Sequence, residues 1–358
     1  MWKVVREMSL QYCLKSKSYI ESARNYLDDY SNIVSKDIDM TMSGRYIGSY
    51  PTFDIDVSVF DRYPSHSIVK QLENEIKKKY FLDNEVVIGS GANGILQNLI
   101  KIFFVNGGNL VTPFYTFNQA EYAVTSFNGI TRRVFMDNEN INFDKLIDSI
   151  DNDTKMIYIC NPNNPTGIYV DSEILLQNIS KIDSTIPVVI DESSIEFSLK
   201  SSLLEYKLPT NVIVLRTFSK AFGLASLRVG YMCCSKDIYK MYKEKITVNE
   251  VSGLSCSIVL QALRSNNYMD NVRKVIFERL YLVENLKKIG IMTFESDSNI
   301  LLTSTIINKD NLKRLLDCNV SVVLVEDINN DTRIRIAVQD REANKKFIDI
   351  MSEIFGNK

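Results

Sequence analysis

One lysine in this chain stands where it could act as an amine nucleophile. Lys220 lies in Thr217-Phe-Ser-Lys-Ala-Phe-Gly-Leu-Ala-Ser-Leu-Arg228, just past the hydrophobic run 212–215. A lysine held dry beside a fixed cation gives up its proton more readily, and the free amine attacks carbonyls. Thr217, Ser219 and Arg228 are group types that a phosphate takes, and the small residues between Lys220 and Arg228 let the arginine fold back. An amine beside a phosphate cup is what pyridoxal phosphate needs. Alone, however, these residues also describe an ordinary strand-to-loop junction with surface charges.

Three further segments bear on that choice. Gly89-Ser-Gly-Ala-Asn-Gly94 follows a hydrophobic run and opens a helical pattern. A dinucleotide fold would also need an acid at the tip of the next strand. That strand ends in Thr112-Pro-Phe114, so a phosphate site without a ribose, or a plain structural turn, is left. Unpaired N–H groups at a helix start favour an anion, and glycine lets it come close. Cys160-Asn-Pro-Asn-Asn-Pro-Thr-Gly167 is a loop stiffened by two prolines, able to hold an asparagine rigidly or simply to turn the chain. Pro187-Val-Val-Ile-Asp191-Glu192 sends out two carboxylates at a strand end, either to meet a cationic ring nitrogen or to cap the next turn.

These segments need a scaffold that brings them together. Hydrophobic runs at 85–89, 109–113, 131–135, 156–160, 187–191, 212–215 and 229–233 alternate with helical patterns at 94–104, 119–127 and 171–179. That alternation predicts a parallel α/β sheet, and ligands of such sheets bind at the C-terminal strand ends. The four segments each follow a predicted strand and therefore meet at one edge. Past residue 250 the alternation stops. A long amphipathic helix is predicted over 268–288, strands over 300–303, 320–325 and 333–338, and a last helix over 341–355. We therefore expect an N-terminal segment, 1–45, packing on the smaller part, a large α/β domain, 46–250, and a small α+β domain, 251–358. Tyr19, Ala23, Tyr26, Leu27 and Tyr30 are spaced for one apolar helix face.

Composition narrows the chemistry. The 358 residues include one histidine, so histidine-dependent triads and multi-histidine metal sites are excluded. Six cysteines are scattered with no C-x-x-C spacing, as expected of reduced core residues in a cytoplasmic protein. A net charge of −2 makes no electrostatic case for nucleic acid or a membrane surface.

With these motifs in place, the chain resembles the fold-type I class I/II aminotransferases, in the histidinol-phosphate aminotransferase group that includes threonine-phosphate decarboxylase relatives. The resemblance runs from Arg62 to the C-terminus and rests on N-P-N-N-P-T-G, D-E and S-K-x(7)-R. It implies that Lys220 carries pyridoxal phosphate as a Schiff base and moves the α-proton, that Asp191 pairs with the ring nitrogen, and that Asn164 bonds the phenolic oxygen. Gly91, Ala92, Asn93, Thr217, Ser219 and Arg228 would hold the phosphate. Tyr122 would stack on the ring, with Phe117 and Tyr115 as rivals. Arg62-Tyr63-Pro64 is similar to the family's R-Y-P, whose tyrosine reaches a neighbouring subunit's cofactor, implying a homodimer with shared sites. Arg335 in Arg335-Ile-Ala-Val would grip a substrate carboxylate.

The departures are informative. Asp191-Glu-Ser-Ser194 has serine where many members have tyrosine, and the N-terminal signature survives only as Ser43-Gly-Arg-Tyr-Ile-Gly48. Glu326 stands where the group has an arginine for the substrate phosphate. Opposite charges about 4 Å apart attract by about 4 kcal/mol at an effective dielectric of 20, so this exchange reverses a large term. The expectation is an aminotransferase with an amino-acid-like donor other than histidinol phosphate and a keto-acid acceptor. Decarboxylation on the same scaffold is the alternative, and a non-enzymatic pyridoxal-phosphate-binding regulator is more remote.

Overall fold

The computed structural model of the chain describes residues 38–41, 43–49, 51–61, 63–137, 139–246, 250–326 and 331–356. In chain order the strands are β1 (Ile38–Asp39), β2 (Glu85–Gly89), β3 (Gly108–Pro113), β4 (Gly129–Val134), β5 (Thr154–Cys160) and β6 (Val188–Asp191). They continue with β7 (Val212–Thr217), β8 (Gly230–Cys234), β9 (Ile300–Leu302), β10 (Val320–Ser321), β11 (Val323–Glu326) and β12 (Thr332–Ala337).

Strands β2 to β8 form one sheet in the order β2-β8-β7-β6-β5-β3-β4. The pairs between β7 and β4 are parallel, whereas β8 runs antiparallel to both its neighbours, β7 and β2. The run at 229–233 was expected to continue the parallel set. It reverses because β7 and β8 are joined by the Lys220–Arg228 turn without a crossover helix, and parallel neighbours need such a crossover. Two reversals leave β2 pointing the same way as β7, so the glycine-rich segment still ends at the edge shared with Lys220.

Near-continuous apolar runs form the inner strands because both sheet faces are covered there, whereas the edge strand β4 carries Thr131, Arg132 and Arg133 and is only partly buried. On one face Ile157, Ile159, Val188, Ile190 and Val214 join the larger core; on the other, Met156, Tyr158, Val189 and Leu215 pack with Ile95, Leu96 and Leu99 of helix Gly91–Phe103. The long helix Tyr268–Lys288 and the last helix Arg341–Phe355 have the expected bounds.

The run at 320–325 divides between two sheets. β10 pairs in parallel with β1, while β11 joins β12 and β9 in an antiparallel sheet. Residue 40 explains the division: Met40 N–H donates to Ser321 O (2.9 Å) and Met40 O accepts from Ala337 N–H (2.7 Å), so the N-terminal strand bridges β10 and β12. The face proposed for Tyr19 to Tyr30 lies outside the described residues. Among the described residues, no helix is long and apolar enough to cross a membrane.

Candidate active site

The parallel strands deliver their polar loops to one edge. Asp191 ends β6, Lys220 follows β7, and in the β5–β6 register Cys160 stands opposite Asp191. Lys220 Nζ donates to Ser194 Oγ at 2.9 Å. Burial pushes the Lys220 ammonium below the ordinary lysine range; Asp191 opposes that shift and Arg335 adds to it. The reduced pKa expected of a lysine nucleophile is therefore present, with desolvation as its main cause.

Asp191 is 7% exposed. Its Oδ1 accepts from Ser193 N–H at 2.9 Å and its Oδ2 from the Tyr158 hydroxyl at 2.8 Å. The adjacent Glu192 takes the other direction. It is fully buried and accepts from Ser202 Oγ (2.5 Å), Leu203 N–H (2.8 Å) and Arg216 Nη1 (3.1 Å). Arg216 Nη2 also meets Glu196 Oε1 at 2.8 Å, so Glu192 belongs to a buried ion cluster rather than to the site.

The asparagine loop divides its work by side chain. Asn161 exchanges two hydrogen bonds with Val170, and Asn163 ties the loop to Tyr115 O and Thr116. Asn164 instead accepts from Arg335 Nη1 at 3.2 Å. Arg335, 8% exposed, also donates Nη2 to Thr41 O at 2.6 Å. The structure thus joins Arg335 on β12 to the edge of the large sheet.

A cradle forms between β2 and the Lys220 loop. Gly91 has φ 72°, and a Cβ there would lie 2.7 Å from Arg228 Nη2; a Cβ on Gly230 would lie 2.4 Å from Ala92 N. Glycine at 91 lets the guanidinium reach the start of helix Gly91–Phe103, and glycine at 230 lets β8 pass close to that helix's first backbone groups. Ser90 makes no side-chain cap there, leaving first-turn N–H groups for an anion. Thr217 Oγ1 donates to Ser219 Oγ (3.0 Å), and Arg228 Nη1 reaches Ser219 Oγ at 3.4 Å. Arg228 itself has φ 53°, a left-handed backbone unusual for a non-glycine residue. Hydroxyls, N–H groups and a guanidinium make a donor set for phosphate, so the residues present fit pyridoxal phosphate. Asn93 Oδ1 is buried without a hydrogen-bond partner beside this cradle.

The remaining expected residues are placed less closely. Tyr122 is partly buried on helix Gln119–Ser126. Phe117 packs into the core beneath that helix, and the Tyr115 ring stands edge-on to Phe114 at 4.9 Å. Tyr63 is 88% exposed on this chain, while Arg62 lies outside the described residues. Glu326 is exposed, and the β11–β12 register pairs it with Thr332. Alternation puts it on the face opposite Arg335, so the structure does not bring these two residues together.

Sequence reasoning missed two contributors, Tyr158 behind Asp191 and Thr41 beside Arg335; Ser194 and Asn299 stood out in the sequence without a role, and the structure makes Ser194 the partner of Lys220. Asn299 Oδ1 accepts from Ser298 Oγ (3.2 Å), and Asn299 Nδ2 donates to Ser43 O. A Cβ on Gly223 would lie 2.4 Å from the Tyr46 ring, so the altered segment 43–48 packs directly on the Lys220 loop. The available signal for Tyr158 was a hydroxyl-bearing residue inside the apolar run of β5, two positions before its end.

Comparison with known proteins follows the same lines. The family described as Aminotransferase class I and II matches residues 55–351. A histidinol-phosphate aminotransferase of Methanocaldococcus jannaschii is 32% identical over 299 residues, covering 79% of each chain. The chain is similar in structure to the Sinorhizobium meliloti histidinol-phosphate aminotransferase in complex with pyridoxal-5'-phosphate, with TM-score 0.80, 18% identity, and 90% and 91% of the two chains covered. It is also similar to the L-threonine-O-3-phosphate decarboxylase of Porphyromonas gingivalis, with TM-score 0.71, 18% identity, and 89% and 100% covered. These relatives lend no support to excluding histidinol phosphate as a substrate.

Proposed function

Given that the chain belongs to the class I and II aminotransferases, enzymes of fold type I that work with pyridoxal phosphate, we propose that it moves an amino group from an amino-acid-like donor to a keto acid. The observation that carries this reading is the convergence of Lys220, Asp191 and the Gly91–Arg228 cradle on one sheet edge. Bound there, pyridoxal phosphate supplies an aldehyde that takes up amines and a ring that draws off electron density.

The residues do the rest. The Ala92 and Asn93 N–H groups, with Thr217, Ser219 and Arg228, would hold the phosphate. Asp191 would accept the ring N–H, Asn164 would bond the phenolic oxygen, and Tyr122 would cover the ring face. Lys220 Nζ takes the proton from the donor's α-carbon and hands it on. The lowered pKa of Lys220 suits that task, because an amine must be free of its own proton to accept another. Arg335 holds the donor's carboxylate with its planar fork, steadied by its contacts to Asn164 and Thr41. We read 46–250 as the cofactor-binding domain, 251–358 as the small domain, and 1–45 as packing on it. The partner is a second copy: Ile55, Val57, Phe60 and Tyr63 are all more than half exposed in this chain. A particle of one chain by sedimentation contradicts that assembly.

Histidinol phosphate belongs in the donor screen because relatives carry its name and Glu326 faces away from Arg335. The enzyme loaded with pyridoxal phosphate is incubated with 2-oxoglutarate and histidinol phosphate, arginine, ornithine or lysine. We expect glutamate to form with at least one donor. Carbon dioxide release without glutamate from any amino acid overturns the aminotransferase reading in favour of decarboxylation.

A further inference from the structure

Tyr158 has no assigned role in the site, yet its position is specific. Its ring is fully buried on the sheet face shared with Met156, Val189 and Leu215. A phenylalanine would fill that space equally well and would need no polar partner. The tyrosine instead carries a hydroxyl with two neighbours: Asp191 Oδ2 at 2.8 Å and Cys160 Sγ at 3.1 Å.

The direction of these bonds follows from counting protons. A carboxylate only accepts, so the tyrosine must donate to Asp191. Its single hydrogen is then committed, and the contact to Cys160 requires the thiol to donate to the phenolic oxygen. Burial pushes Tyr158 well above its usual range, and burial with the nearby Asp191 pushes Cys160 up to about 12. Both groups therefore keep the protons that this order requires. With Ser193 N–H on Oδ1, the two carboxylate oxygens are each held by a neutral donor from a different element.

We propose that Tyr158 is a positioning residue for Asp191: its hydroxyl, oriented by the Cys160 thiol, fixes the plane of the carboxylate that meets the cofactor's ring nitrogen. The proposal rests on the reading of Asp191 as that ring partner. Without the hydroxyl, the carboxylate keeps one tether, at Ser193, and can turn about its Cα–Cβ and Cβ–Cγ bonds. The ring then loses a fixed acceptor although every residue touching it is unchanged.

The test is a double-mutant cycle on the full-length enzyme, read as the dissociation constant for pyridoxal phosphate and the absorbance of the bound cofactor. Tyr158→Phe is expected to raise the constant about tenfold, the order for one hydrogen bond to a charged group, and to shift the absorbance. Cys160→Ala, which keeps the tyrosine, should move both in the same direction by about twofold to threefold. In an Asp191→Asn background, Tyr158→Phe should change the constant by less than about twofold. If Tyr158→Phe matches the wild type while Asp191→Asn binds weakly, the hydroxyl does not position Asp191 and the proposal falls. An equal effect of Tyr158→Phe in both backgrounds assigns Tyr158 to packing and also overturns it. If Asp191→Asn alone leaves binding unchanged, the reading of Asp191 fails and the proposal with it.

Discussion

At the end of β6, Asp191 turns to the sheet face that carries Tyr158 and helix Gly91–Phe103, while Glu192 turns to the face that carries Arg216. Both are buried carboxylates, and strand alternation alone separates them. Glu192 is saturated by a hydroxyl, a backbone N–H and a guanidinium, all within 3.1 Å. Its burial raises its pKa, and Arg216 opposes that rise. Asp191 is held by two neutral donors, which leaves its cationic partner to be supplied at the open edge. One carboxylate completes an internal ion cluster and the other is available to a ligand. Among the described residues no side-chain cation pairs directly with Asp191, although Lys220 lies near enough to feel its charge.

Breaking that contrast should give the largest effects. Asp191→Asn keeps the shape but removes the charge, and kcat should fall about a hundredfold, in the range for losing one preorganised electrostatic group. Glu192→Ala should leave kcat per folded molecule near the wild-type value but cost about 3 kcal/mol of stability, because it strips a partner from buried Arg216. Denaturant midpoints and kcat measured on both variants decide the matter; the same stability loss in both would erase the distinction.

A smaller effect sharpens the same contrast on the antiparallel sheet. Arg335→Lys retains the charge but not the planar fork, so KM for the donor should rise about tenfold. Glu326→Gln should alter KM by less than about twofold, since an exposed charge on the opposite face is screened by solvent. A donor preference that changes with Glu326→Gln would restore that residue to the substrate site.

Much of the large sheet was legible because its strands are buried on both faces and read as apolar runs between turn residues. Lys220, Asp191, Asn164 and Arg228 could be placed at one edge from order alone. The reversal of β8 was not legible, since a strand's sequence does not record the direction of its neighbour. Nor was the division of 320–325, which depends on residues 38–40 arriving from the other end of the chain. Glu326 shows the same limit. Its type and position were clear, but which face it occupies depends on a register that only pairing with β12 fixes. Tyr158 was visible as a strand residue, yet its role depends on the β5–β6 register, which sets Cys160 opposite Asp191 and brings the Tyr158 hydroxyl to Asp191 Oδ2.

The central claim is that Lys220 is the amine to which the cofactor attaches. Borohydride treatment of the enzyme loaded with pyridoxal phosphate fixes the cofactor to whichever amine held it, and peptide mass mapping then locates the label. The account predicts one labelled peptide, carrying the added mass on Lys220, and no label in Lys220→Ala. A label on another lysine, or none on the wild-type chain, would contradict it.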